Sequence, residues 1–116
     1  MNRKECNLSL DELLKFDGVM AAGIFNNEGK LVDYKASDGM PEEMARMTAK
    51  FCGAVNMVFD ALGSAYTELY KMNWVPQHNW MYSGGDWTVI ISGTRGVFVE
   101  SSKADLDKLL KGLGVC

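Results

Sequence analysis

Basic charge is scarce in this chain. Lysine and arginine number 12 against 15 acidic residues, for a net charge of -3 and a pI of about 5.1. A nucleic-acid binder normally carries a basic patch, so that class of partner is excluded. Charges of both signs are mixed along the chain and imply no electrostatic partner. Long apolar runs are also missing. None approaches the roughly 20 residues of a membrane span, and Val19 to Phe25 is the longest clean one in the first half. The N-terminal MNRKECNLSLDE lacks the apolar core of a secretory signal, so a cytoplasmic location away from membranes is expected. Cysteine is sparse. Cys6, Cys52 and Cys116 are odd in number and far apart, which argues against a disulfide framework and fits a reducing compartment. With a single histidine, His78, no three- or four-ligand metal constellation can be assembled. The phosphate-cradling pattern GxxxxGK(S/T) is absent, and Gly93-Thr94-Arg95-Gly96 reads as a turn.

What is present is enough apolar material for a core. Hydrophobic residues make up 47% of 116, which predicts one folded domain over residues 1–116. Its organising stretch runs from Met40 to Met72. Pro41 suits a first helical turn, Glu42 and Glu43 suit the positive end of the helix dipole, and Lys71 suits the negative end. Such a helix spans roughly 45 Å. At about 100° per residue, Met44, Met47, Phe51, Val55, Val58, Leu62, Ala65 and Leu69 form one stripe. A shoulder beside it carries Ala45, Cys52, Phe59 and Tyr66, with Tyr70 close by. The polar stripe (Glu42, Arg46, Asn56, Asp60, Ser64, Thr67, Lys71) is narrow. One sheet covers one stripe. The shoulder is therefore expected to meet a second copy of the chain. Gly53 and Gly63 interrupt the helix at a cost of roughly 1 kcal/mol each. They are either tolerated weaknesses or places of close backbone approach.

Around this helix the elements follow in order. Residues 1–7 read as a lead-in. Ser9 and Glu12 form a capping box for a small helix, with Leu8 stapled onto Leu13 and a stop at Asp17-Gly18. Val19–Phe25 is apolar on both alternations, a strand covered on both faces. Asn26-Asn27-Glu28-Gly29 is a turn into a second strand, Lys30 to Lys35, with Leu31 and Asp33 facing one way. After the long helix come strands at Trp80–Ser83, Trp87–Ser92 and Val97–Glu100. A closing helix is expected to start at Ser102, with Asp105 at its third position. Leu106, Leu109, Leu110 and Leu113 form its core face, and Gly112 and Gly114 fray it. This order, αββαβββα, predicts an α+β sandwich. The five-stranded antiparallel sheet would carry the long helix on one face and the two short helices on the other.

The pattern resembles the roadblock / dynein light chain superfamily. The residues that carry the likeness are Leu10-x-x-Leu13-Leu14-x-x-x-Gly18-Val19-x-Ala21-Ala22, Phe25-x-x-x-Gly29-Lys30-Leu31, the alanine- and methionine-rich helix, and Gly96-Val97-Phe98. It is especially similar to a small, single-domain prokaryotic branch of uncharacterised function. The resemblance implies a dimer in which the central helices and the strands after them meet across the interface. Transferred to this chain, those positions are Cys52, Asn56, Phe59, Gly63 and Tyr66 on the helix, with Asn79, Trp80, Met81 and Tyr82 on the strand. A charge at Phe59 would then break the dimer. The resemblance also implies a non-enzymatic scaffold or regulator whose partner class is the Ras-like small GTPases. The alternative is a small-molecule sensor with an aromatic-lined pocket, since all three tryptophans fall between Trp74 and Trp87.

No catalytic, cofactor-binding or metal-binding residue is expected. His78 has no cysteine that the sequence would bring beside it, Cys52 reads as a small apolar residue, and Asp33, Asp38, Asp60 and Asp86 suggest no pairing. Arg95 reads as a solvated turn arginine rather than a finger acting on a partner's nucleotide. Trp74, Trp80, Tyr82 and Trp87 read either as core filler or as a functional surface.

Overall fold

A computed structural model of the chain describes residues 8–37 and 39–114. The lead-in 1–7, Cys6, Asp38 and Cys116 lie outside the described residues. Ser9 caps a single helical turn, α1 (Leu10–Leu13), through the reciprocal box its spacing predicts. The Ser9 hydroxyl accepts from the Glu12 amide and the Glu12 carboxylate accepts from the Ser9 amide, both at 3.2 Å. The chain turns at Gly18 into β1 (Val19–Phe25) and then β2 (Leu31–Ala36). Between them the Asn26 side-chain oxygen accepts from the amides of Glu28 and Lys30, each at 3.0 Å, which pins the hairpin. The register shifts where Ile24 pairs Asp33 but Phe25 pairs Leu31, so Val32 is the extra residue of a bulge. Strict alternation would put Leu31 on Asp33's face. The bulge instead lets Leu31 and Tyr34 line the same cleft.

The long helix, α2 (Glu42–Tyr70), runs 29 residues and ends at Lys71, whose φ of 61° is left-handed. At 1.5 Å per residue it is about 43 Å long, close to the molecule's 46 Å long axis. It carries the chain from one sheet edge to the other. After it come β3 (Trp80–Gly84), β4 (Trp87–Ser92) and β5 (Arg95–Glu100), all antiparallel neighbours in the order β2-β1-β5-β4-β3. A 3-10 turn (Ser101–Lys103) precedes α3 (Leu106–Leu113). The expected start at Ser102 is corrected here. The Ser102 hydroxyl donates to the Glu100 carboxylate at 3.3 Å, and Asp105 is the cap, accepting from the Lys108 amide at 3.2 Å. Gly112 does not fray α3. It is buried, its carbonyl accepts from the Leu8 amide at 2.7 Å, and a Cβ there would lie 3.0 Å from Leu13 and Phe16.

The sheet separates two apolar layers. Leu10 and Leu13 of α1 and Leu109 and Leu113 of α3 cover Val19, Ala22, Ile90 and Val99. On the opposite face Ala49 and Cys52 of α2 pack with Phe25 and Ile91, flanked by Leu31, Val89 and Trp80. This is the predicted α+β sandwich.

One expectation reverses. The stripe assigned to the sheet is largely exposed, with Phe51 65% and Leu69 71% open to solvent. The shoulder of Ala45, Cys52, Phe59 and Tyr66 turns inward instead, and Cys52 is 3% exposed. The reason is Gly53. A Cβ there would lie 2.8 Å from the Gly29 Cα, so the helix backbone sits directly on the tip of the β1–β2 hairpin. That contact sets the rotation of α2 about its own axis. It brings the small residues Ala49 and Cys52 onto the sheet and turns the bulkier stripe outward.

Gly53→Ala should therefore lower stability by about 1–3 kcal/mol despite its better helix propensity, because backbone must move. Gly63→Ala, whose Cβ would meet the Trp74 carbonyl at 3.4 Å, should raise stability by up to about 1 kcal/mol. Denaturant titration of the two variants checks both signs.

Candidate functional site

The residues proposed from sequence as an interface divide in the structure. Cys52 and Gly63 are buried within the chain, and Asn56, Phe59, Tyr66, Asn79 and Trp80 are half-buried. Met81 and Tyr82 are exposed on β3, Tyr82 by 70%. Asn56 ties three segments together. Its Nδ2 donates to the Gly93 carbonyl at 2.9 Å, and its Oδ1 accepts from Trp80 Nε1 at 2.6 Å and from Gln77 Nε2 at 3.3 Å. Phe59 meets the Trp80 ring edge-on at 5.8 Å. These helix residues hold α2 to its own sheet.

Three apolar surfaces remain. The first is the flank of α2. Phe51 lies about 160° around the helix from Gly53, and Met47, Val58, Leu62 and Leu69 share its exposed stripe. The second is the far end of the sheet's α2 face. Tyr82 pairs with Val89, Val89 pairs with Phe98, and Trp87 rests against the Phe98 ring at 5.4 Å. A cleft of about 60 Å³ between Ala45 and Cys52 on the helix and Val89 and Phe98 on the sheet links these two surfaces. Together they form an apolar corner, helix flank against sheet floor. The third surface is a groove of about 440 Å³ under the C-terminal half of α2, between Phe59, Tyr66, Trp74 and Trp80. The tryptophan cluster expected from sequence is thus split, with Trp74 and Trp80 in the groove and Trp87 on the open sheet.

The two sheet edges also differ. β2 is bulged at Val32 and carries Asp33 and Lys35, features that discourage further pairing. β3 is regular, reads Trp-Met-Tyr-Ser-Gly and has no charge, proline or bulge. Only the resemblance points to β3 as the pairing edge; the strand pattern alone does not separate the two edges.

The remaining candidates have structural roles or none. Arg95 opens β5 rather than standing on a turn. Its Nη1 donates to the Gly112 carbonyl in the last turn of α3 at 3.3 Å, a favourable place for a cation, and burial lowers its pKa. Burial pushes the Cys52 thiol up to about 11. Asp33 accepts from the Tyr34 amide, while Asp60, Asp86 and His78 are exposed. Among the described residues no group of three His, Cys, Asp or Glu side chains could hold a metal, and no helix is long and apolar enough to cross a membrane.

Two outcomes are expected. Asn56→Ala leaves the partners of three hydrogen bonds open, Trp80 and Gln77 part-buried and the Gly93 carbonyl exposed, and should cost about 1–2 kcal/mol, with red-shifted tryptophan emission. The Cys52 thiol should stay unalkylated at pH 8 until the protein unfolds, as peptide mapping by mass spectrometry would report. The folded thiol keeps its proton to about pH 11, an unfolded one to about 8.5. Its contribution to stability is therefore complete below pH 8.5 and lost as pH rises towards 11.

Solved structures share this fold. The gliding protein MglB from Thermus thermophilus superposes with a TM-score of 0.68, at 15% identity over 86% of this chain and 73% of that one. A structure of MglB with a tetrameric arrangement superposes with a TM-score of 0.71 at the same identity and coverage. The chain thus has the roadblock-type fold that its sequence resembles. Comparison with curated proteins gave no match. A family profile matches residues 9–115, and the chain belongs to that family, whose description is uncharacterized conserved protein (DUF2173).

Proposed function

We propose that this protein is a non-enzymatic dimeric scaffold or regulator that works on a Ras-like small GTPase. The observation that carries the dimer is the open apolar corner. Five large side chains on the α2 flank, with Tyr82 and Trp87 on the floor, stand in solvent beside the half-buried Phe98 and an unprotected sheet edge. A second copy related by a two-fold axis can use both features at once. Its β3 extends this sheet antiparallel, and its α2 lies on the exposed floor against the first helix. The expected contact is near the usual ~800 Å² per partner. Self-association of a same-fold protein, MglB in its tetrameric arrangement, supports the reading.

The GTPase part rests on the roadblock resemblance. A scaffold of this kind contributes surface and no chemistry of its own, in keeping with the structural roles found for Cys52 and Arg95. The GTPase would bring its own phosphate-binding loop.

The helix residues of this interface differ from those transferred by resemblance, while the strand residues Trp80, Met81 and Tyr82 are kept. A charge at Phe59 would damage the contact with Trp80 and the fold with it. Phe51 is the better probe because it is exposed within the chain. Light scattering across a concentration series should give a dimer for the native protein and a folded monomer for Phe51→Glu. A monomeric native protein would overturn the dimer, and a dimeric mass in that variant would overturn this interface. For the partner, the dimer should co-elute with a Ras-like GTPase from the same genome and change its GTP hydrolysis rate. The monomeric variant should do so less.

A further inference from the structure

We propose that the groove beneath the C-terminal half of α2 binds a planar, uncharged heteroaromatic small molecule. This goes beyond the scaffold reading and does not depend on it. At about 440 Å³ the groove falls within the size range of small-molecule sites. Aromatic pairs bound it. Tyr66 of the helix meets Trp74 at 5.0 Å, and Phe59 meets Trp80 at 5.8 Å. Gly63 lies between them on the helix and, with no side chain, lets the Trp74 backbone pack close to α2: a Cβ there would meet the Trp74 carbonyl at 3.4 Å. Such a slot favours a flat molecule, because stacking on ring faces needs a π surface and no particular sequence of atoms.

Charge narrows the class. No lysine, arginine, aspartate or glutamate lines the groove; its polar groups are amides, the imidazole of His78, the Tyr66 hydroxyl and the indole N–H groups of Trp74 and Trp80. A charged molecule would lose water there and gain no counter-ion. The side chains of Asn73, His78 and Asn79 make no hydrogen bond among the described residues and remain available to ring nitrogens or carbonyls.

The slot is also built in advance. The Trp74 amide donates to Thr67 Oγ1 at 3.1 Å, and Asn56 Oδ1 holds both Gln77 and Trp80. The walls therefore stand without an occupant, which lowers the ordering cost of binding.

The test is an NMR titration of the full chain with adenosine, riboflavin and indole, following the indole N–H resonances of Trp74, Trp80 and Trp87. AMP and cyclohexanol serve as charged and aliphatic controls. At least one of the three flat compounds should shift Trp74 and Trp80 saturably while Trp87 stays still, and the controls should bind more weakly. Trp74→Ala should weaken binding at least tenfold. Trp74→Leu keeps apolar bulk if the first variant folds poorly, and should do the same. The proposal is overturned by no saturable shift from any of the three. It is equally overturned by unchanged affinity in the Trp74 variants, or by shifts confined to Trp87. Binding seen only in Phe51→Glu would overturn it too, because a second copy would then fill the groove. A failed dimer test leaves these outcomes as they are.

Discussion

The seating of α2 on the β1–β2 hairpin is the contact on which the other features of this molecule depend. With no Cβ on Gly53, the helix backbone touches the backbone at Gly29. A 29-residue helix fixed at one point can still roll and swing. Asn56 removes that freedom by joining the helix to the Gly93 carbonyl, Trp80 and Gln77. These two devices sit within one turn of each other. They clamp the helix at the hairpin-tip end of the sheet and leave the other end bare.

Both candidate surfaces follow from that placement. Because α2 crosses at one end, the sheet floor around Phe98 and Trp87 has no cover, and the bulky flank of the helix overlooks it. Because α2 is longer than the sheet is wide, its last turns run past β3. There the 71–79 segment folds back under them to make the aromatic groove. An apolar corner suits a large, shape-matched partner that removes much area from water. A groove walled by aromatic pairs suits a small flat one. The same helix therefore offers a protein-sized surface on its flank and a ligand-sized one beneath it.

Much of this was legible in the chain alone. The Ser9–Glu12 box, the glycine turns and the apolar strand Val19–Phe25 carry local signals, and local signals survive without tertiary context. The element order then permits few topologies, and the sandwich is one of them. The two apolar faces of α2 exchange roles between pattern and fold for an identifiable reason. Hydrophobicity ranks Phe51 and Leu62 above Ala49 and Cys52, so the bulkier stripe looked like the core. In the folded chain close approach at Gly53 admits only small residues beside it, and size decided which face went in.

The sequence by itself determined the elements, their order and the apolar content of α2, because periodicity and capping act over a few residues. It also determined that no charged side chain falls among residues 73–80, which lie beside the groove. Only the tertiary structure decided which stripe of α2 is exposed, which sheet edge is open and where each tryptophan stands. Those outcomes depend on contacts between residues far apart in the chain, such as Gly29 with Gly53 and Asn56 with Gly93. The pattern of one segment carries no information about its distance from another.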